Sequence, residues 1–276
     1  MSGEPAMQTT RAAAAPVEDR GTSVDKAIVL LIALSESGGR TRLTDLASAA
    51  ALPKSTAHRL LALLEARGMV QRTKQEYALG DAVFELGNRL DFCQPTGLRE
   101  LALPYLGDLF AGSGQTVTLS ILSRSDVLFL DKLSGSSSGK SPAVVGGRLP
   151  AHCTAPGKAL LAYSDLAYLR RLVAPGLRAR TGRTVVYPKM LLNMLAQVRA
   201  TGIARDYEET SIGRACIAAP IVVRGCAVAA VSVSAITTER PEQFIPRLLR
   251  AAEAIQVALT QRGAAALGRL VDGTDW

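Results

Sequence analysis

Five polar side chains, Lys54, Ser55, Thr56, His58 and Arg59, crowd the start of one leucine-rich segment, KSTAHRLLALLEARG. At the first turns of a helix, such residues suit one kind of chemistry. Hydroxyls and free N–H groups at a helix start hold phosphate, and Arg and Lys can read guanine edges in a major groove. Arg72 and Lys74 follow close to a turn at Lys74-Gln75, where they would meet a nucleic-acid backbone or minor groove. The bland alternative is a small helical subdomain with solvated charges, or one used for protein contacts.

Three further groupings could bind a small molecule. In Leu149–Leu160 (LPAHCTAPGKAL) a helix begins behind a turn containing Pro and Gly. Its positive end would seat a carboxylate, with donors at Gly157 and Lys158, or Ala155, because Pro156 has no N–H. An ordinary capped helix start is the alternative. Ala204–Cys216 carries Asp206, Glu208 and Glu209 on what reads as a loop entering a strand, able to accept hydrogen bonds or simply to face water. Neither grouping has metal-ligand spacing. In Val231–Ala235 strict alternation places Ser232 and Ser234 on one face of a strand, as a polar pocket wall or a half-exposed edge.

Catalysis has little support. His152 and Cys153 are sequence neighbours, so on a strand they point to opposite faces. No GxSxG, HExxH, phosphate-loop or dinucleotide pattern occurs. The expectation is a non-enzyme with no catalytic residues, no metal and no cofactor.

The elements that must position these groups follow from periodicity. A helix from Leu43 with Thr44 as N-cap, a break at Leu52-Pro53, and a second helix from Lys54 with Leu60, Leu61, Leu63 and Leu64 inward make a helix-turn-helix. Gly68 stops the second helix, and strands over 69–73 and 76–79 form a wing. A helix capped by Ser23, with Val24, Ala27, Ile28, Leu31 and Leu34 on one stripe, precedes them. A helical pattern over Asp81–Leu90 leads to a break at Cys93–Gly97. Beyond it come a hairpin of 115–122 and 127–133, a Gly/Ser loop at Ser134–Ser141 and a helix from Thr154 to Tyr163. A helix from Ser164-Asp165 and one over Pro188–Ala200 come next. Strands 216–223 and 227–235 and a last helix from Pro241 to Arg262 complete an α+β domain with a mostly antiparallel sheet.

Composition agrees with two domains. The chain has 276 residues, 48% of them hydrophobic, and a net charge of +8. Residues 21–92 hold nine basic against eight acidic residues, so the excess does not localise to the proposed reader. Within 54–74, however, five basic residues face Glu65 alone. No run reaches the ~18 apolar residues of a membrane span, and the N-terminus lacks a secretory pattern. Four scattered cysteines without a CxxC pair suggest reduced thiols and a cytoplasmic location.

Together SVDKAIVLLIAL, LTDLASAAALPKSTAHRLLALLEARGMV, YALG, LPAHCTAPGKALLA and DYEETSIGRACIAAPI with VAAVSVSA resemble the IclR family of transcriptional regulators, from about Thr22 to Arg262. The resemblance implies an N-terminal winged helix-turn-helix, a linker helix and a C-terminal GAF-like effector-binding domain. The corresponding segments are a disordered tail 1–20, a DNA-binding domain 21–80, a linker 81–95, an effector domain 96–265 and a flexible tail 266–276. It further implies a bacterial homodimer or homotetramer on double-stranded operator DNA, with a small-molecule effector, a carboxylate or aromatic metabolite. The effector would sit among Ala155, Pro156, Gly157, Asp206, Cys216, Ser232 and Ser234. Two positions depart from the family pattern. Pro156 falls where some members offer an N–H, and Ala235 where Gly is common. A sensor whose winged helix docks a protein is the competing reading. An enzyme using Cys153 or Cys216 is a third.

Overall fold

The computed structural model describes residues 21–93, 97–135 and 141–261. The expected tails 1–20 and 266–276 and most of the Gly/Ser loop lie outside the described residues. Two compact units divide between Cys93 and Gln94.

In the first unit, helix α1 (Ser23–Glu36) is capped by Thr22 rather than Ser23. Thr22 Oγ1 accepts the Asp25 N–H at 3.2 Å and Asp25 Oδ2 accepts the Thr22 N–H at 2.9 Å. This reciprocal box satisfies two donors that a helix start leaves open. Leu30, Ala33 and Leu34 form its buried face, and Val24 and Ile28 of the expected stripe are turned outward. Helix α2 (Leu43–Ala49) begins on Arg42 as cap, so Thr44 lies inside its first turn. Helix α3 (Lys54–Glu65) buries Ala57, Leu60 and Leu61 with Leu64 packed beside them. Leu63 is exposed, contrary to expectation, because a 3.6-residue period carries it off that stripe.

Gly68, at φ +67°, reverses the chain after α3, and the Met69 N–H donates to Leu64 O at 3.0 Å. Strands β2 (Val70–Thr73) and β3 (Glu76–Leu79) then pair antiparallel around Lys74-Gln75. A two-residue strand preceding α2, β1 (Thr41–Arg42), pairs with the other edge of β3. Helix α4 (Asp81–Gly87) ends short of the expected Leu90 and buries none of its residues. A 3-10 turn at Asp91–Cys93 follows.

The second unit opens with a helix that the sequence reading missed, α5 (Leu98–Ser113), whose Pro104 and glycines mask its period. After it come β4 (Thr116–Ser123), β5 (Asp126–Leu133), β6 (Arg148–Pro150), α6 (Ala155–Leu161), α7 (Leu166–Val173) and α8 (Pro188–Thr201). The chain continues through β7 (Ala204–Tyr207), β8 (Arg214–Val223), β9 (Cys226–Ile236) and α9 (Ile245–Gln261). Helix α6 stops two residues before the expected Tyr163, and a 3-10 turn at Pro241–Phe244 precedes α9.

The strands form one antiparallel sheet in the order β6-β5-β4-β9-β8-β7. Val117, Leu119, Ile217, Val231 and Val233 are fully buried on the face that α5 and α9 cover. On the other face Ala204, Ala218 and Ala230 belong to a core that includes Ala155, Ala159 and Leu160 of α6. Methyl groups on both partners let this short helix dock close to the strands.

Candidate functional site

In the first unit, Lys54, Ser55, His58 and Arg59 are exposed and Thr56 is half-buried, while the buried stripe of α3 is entirely apolar. The polar start of α3 therefore faces outward from a helix held on its opposite side. Arg72 and Lys74 are exposed on the wing, and the Arg72 guanidinium lies 5.6 Å from the centre of the Tyr77 ring. Tyr77 is buried, so its ring offers the exposed guanidinium a fixed aromatic face.

In the second unit, a small cavity of about 40 Å³ opens beside α6 on the alanine face of the sheet. Register explains its polar wall. Asp206 on β7 stands opposite Cys216 on β8, which stands opposite Ser234 on β9. One row over, Ser232 stands opposite Thr118 of β4, and their hydroxyls are hydrogen-bonded at 2.7 Å. Phe129, Pro142, Ala143, Leu149 and Pro156 close the apolar side. Thus Pro156, Asp206, Cys216, Ser232 and Ser234 of the expected set come together. Ala155 and Gly157 are fully packed and do not line the space.

Two of the expected anion donors at the start of α6, the N–H groups of Gly157 and Lys158, are already used from within. Thr154 Oγ1 accepts the Gly157 N–H at 3.1 Å, and Thr154 O accepts the Lys158 N–H at 2.9 Å. A side chain at Gly157 would come within 2.1 Å of Ala151 O, so glycine is required there for close packing. Asp206 is on an edge strand rather than the expected loop. Its carboxylate accepts the Glu209 N–H at 2.8 Å and the Thr210 hydroxyl at 2.6 Å, which shapes the turn after β7. Burial raises its pKa above the usual carboxylate value, opposed by the Thr210 hydrogen bond and the charge of Lys158.

Several neighbours were missed in the sequence. Arg214 lines the cavity two residues before Cys216, and its Nη2 donates to Ser234 O at 3.2 Å and Ser234 Oγ at 3.0 Å. The period-2 rule that singled out Ser232 and Ser234 would also have put Arg214 on the face of Cys216. Lys158 and Glu209 form a buried ion pair, with side chains 1% and 7% exposed. Nothing local in the sequence couples two residues 51 positions apart.

The stretch Arg170–Arg183 is rich in arginine, and part of it has a structural role. Residues 178–185 run as a strap across the turn after β7. Thr181 Oγ1 donates to Glu208 O at 2.7 Å, Thr184 Oγ1 donates to Glu209 O at 2.7 Å, and Arg183 pairs with Glu208 at 2.8 Å. His152 Nε2 bonds Arg178 O at 3.0 Å. A carbonyl only accepts, so that ring nitrogen carries the proton. Burial lowers the pKa of His152, its largest influence. Arg170 and Arg171 remain exposed on α7.

An outward-facing winged helix-turn-helix combined with a sheet domain holding a polar cavity defines the class of DNA-binding transcriptional regulators. Residues 91–257 match the model for the bacterial transcriptional regulator IclR C-terminal domain, and residues 23–74 match the IclR helix-turn-helix domain. The chain belongs to the IclR family. It is 34% identical to the transcriptional repressor IclR of Escherichia coli K12 over 256 residues, covering 89% of this chain and 93% of the relative. It is 36% identical to the HTH-type transcriptional regulator BhcR of Paracoccus denitrificans over 233 residues, 82% of each chain. An IclR homolog from Microbacterium hydrocarbonoxydans, solved in complex with 4-hydroxybenzoate, superposes with a TM-score of 0.80 at 26% identity, covering 87% of this chain and all of that one. The Thermotoga maritima IclR superposes with a TM-score of 0.70 at 28% identity, covering 85% and 97%. The non-enzyme reading accords with relatives that are transcriptional repressors. No helix among the described residues is long and apolar enough to cross a membrane.

Proposed function

We propose that this regulator is ligand-responsive, acts in the bacterial cytoplasm, and releases or engages operator DNA when a small organic acid or aromatic metabolite enters the cavity beside α6. The observation that carries this reading is the convergence of Asp206, Cys216, Ser232, Ser234 and Arg214 on the wall of one cavity. Lys54, Ser55, Thr56, His58 and Arg59 read the major groove, and Arg72 and Lys74 grip the flanking backbone. The expected domain limits, 21–80 for the reader, 81–95 for the linker and 96–265 for the sensor, serve this division of labour. A second copy of the chain reads the second half-site of a palindromic operator. Effector binding then changes the spacing of paired readers by favouring one subunit arrangement, which requires different affinity for the two.

The test is binding of the full chain to the DNA upstream of its own gene at two salt concentrations. Phosphate contacts make specific affinity fall steeply with salt. Ser232→Ala and Ser234→Ala leave this affinity unchanged and blunt the response to a releasing compound. Absence of specific DNA binding at either salt concentration would overturn the reading in favour of a protein-docking sensor.

A further inference from the structure

A second cavity lies on the sheet face away from α6, in the groove between α5 and α9, and its volume is about 240 Å³ against about 40 Å³ for the cavity beside α6. Helix period makes it. Tyr105, Asp108 and Leu109 share one face of α5, and Arg247, Arg250, Ala251 and Ala254 share the facing side of α9. The small alanine methyls leave the space open, and buried Leu109 gives it an apolar floor. Its rim is charged. Arg247 lies across α5 at Gly112, where a Cβ would come within 2.7 Å of its Nη1, so glycine there lets the guanidinium settle against the groove. Arg247 and Arg250 are both exposed, and like charges three apart on one helix repel. They also stand near the positive end of the α9 dipole, and the first turn of that helix carries no acidic residue. Among the described residues neither guanidinium has an ion pair, and the Tyr105 hydroxyl and Asp108 carboxylate have no hydrogen-bond partner.

We infer that this groove is a second binding site, which takes the phosphate monoester of a polyhydroxylated compound such as a sugar phosphate. A phosphomonoester carries close to two negative charges at neutral pH and presents three acceptor oxygens. Two guanidinium forks match that charge and geometry, and the Tyr105 hydroxyl supplies a further donor. An anion held there offsets both the repulsion between the arginines and their mismatch with the helix dipole. Asp108 sets the rest of the molecule. A carboxylate only accepts hydrogen bonds and repels a bare anion, so it favours a ligand that carries hydroxyls away from its phosphate. The carbon skeleton then lies over Leu109, Ala251 and Ala254. A simple carboxylic acid, with one charge and no hydroxyl for Asp108, leaves one guanidinium unmatched. The two cavities of the sheet domain therefore select different chemistry.

Calorimetric titration of the full chain without DNA tests the site. The probes are glucose 6-phosphate and ribose 5-phosphate, with inorganic phosphate, glucose and ribose as comparisons. At least one sugar phosphate binds saturably, at least tenfold more tightly than inorganic phosphate, and the free sugars do not bind. Combining Arg247→Gln with Arg250→Gln lowers that affinity by thirtyfold or more in a chain that still folds, as read by its melting temperature. Asp108→Asn narrows the preference for sugar phosphate over inorganic phosphate, because it removes the charge that repels the bare anion. Combining Lys54→Ala with Arg59→Ala retains full affinity, which separates this groove from phosphate held at the start of α3. Failure of both sugar phosphates to bind, undiminished affinity without the two α9 arginines, or loss of affinity in the α3 variant each overturns the assignment.

Discussion

Cys216 lines the C-terminal cavity and Cys153 is buried in the turn before α6, and desolvation pushes both thiols up to about 12. A thiolate is the reactive form, so neither can serve as a nucleophile near neutral pH. Alkylation by iodoacetamide at pH 8 is expected to leave both unmodified in the folded chain and to modify both after denaturation, as read by peptide mass spectrometry. Lys158 and Glu209 make a second residue-scale case. Removing one member of a fully buried pair strands the other, at a cost of about 3–5 kcal/mol. Lys158→Met should therefore lower the urea midpoint strongly, and adding Glu209→Leu should restore much of it. His152 is buried with its pKa depressed below 6.5, so its contribution to stability is present above 6.5 and is lost as pH falls through the folded value. A His152→Gln variant should show a flatter loss of unfolding free energy on acidification below pH 6.5.

Elements decide which of these residues meet. The recognition segment was legible in sequence because its signals are local: Leu52-Pro53 breaks, the leucines set a stripe, and Gly68 at φ +67° ends the turn. The wing was legible for the same reason. The strap 178–185 was not, since it has neither helical nor strand period and its partners are backbone carbonyls of a distant turn. Thr184 is its keystone, accepting the Arg180 and Thr181 N–H groups, both at 3.0 Å, while donating to Glu209 O. Replacing its hydroxyl with a methyl leaves the buried Glu209 carbonyl and two part-buried N–H groups without that partner, a loss of about 1–3 kcal/mol for the buried one and less for the others. Thr184→Val should lower the melting temperature by several degrees and weaken effector response, with operator affinity in the absence of ligand unchanged. In the reader, Arg59→Ala should reduce operator affinity without altering the melting temperature. Lys54→Ala, if it loses one phosphate contact, should reduce the slope of log affinity against log salt by about 1.

On the scale of the whole molecule, helix α4 buries none of its residues, and Phe84 is 72% exposed with Leu86 and Leu90 also outward. Large apolar side chains grouped in this way mark association surfaces. Phe84→Asp is expected to shift the chain toward smaller species in sedimentation and to weaken binding to a palindromic operator more than to a half-site. Unchanged sedimentation in that variant would count against α4 as an association surface.

Local signals in the sequence determined the helix-turn-helix, the wing, the hairpins and the alternation that puts Ser232 and Ser234 on one face. Each depends on residues within a few positions of one another, where turn chemistry and period act directly. The Thr154 cap is a local contact three residues long and was legible in sequence, whereas tertiary structure alone decided that Asp206 belongs to an edge strand and that the face shared by Arg214 and Cys216 borders a cavity. It likewise decided the pairing of Lys158 with Glu209. Those outcomes depend on strand order and register, which are set by packing between segments far apart in the chain and leave no periodic trace in either one.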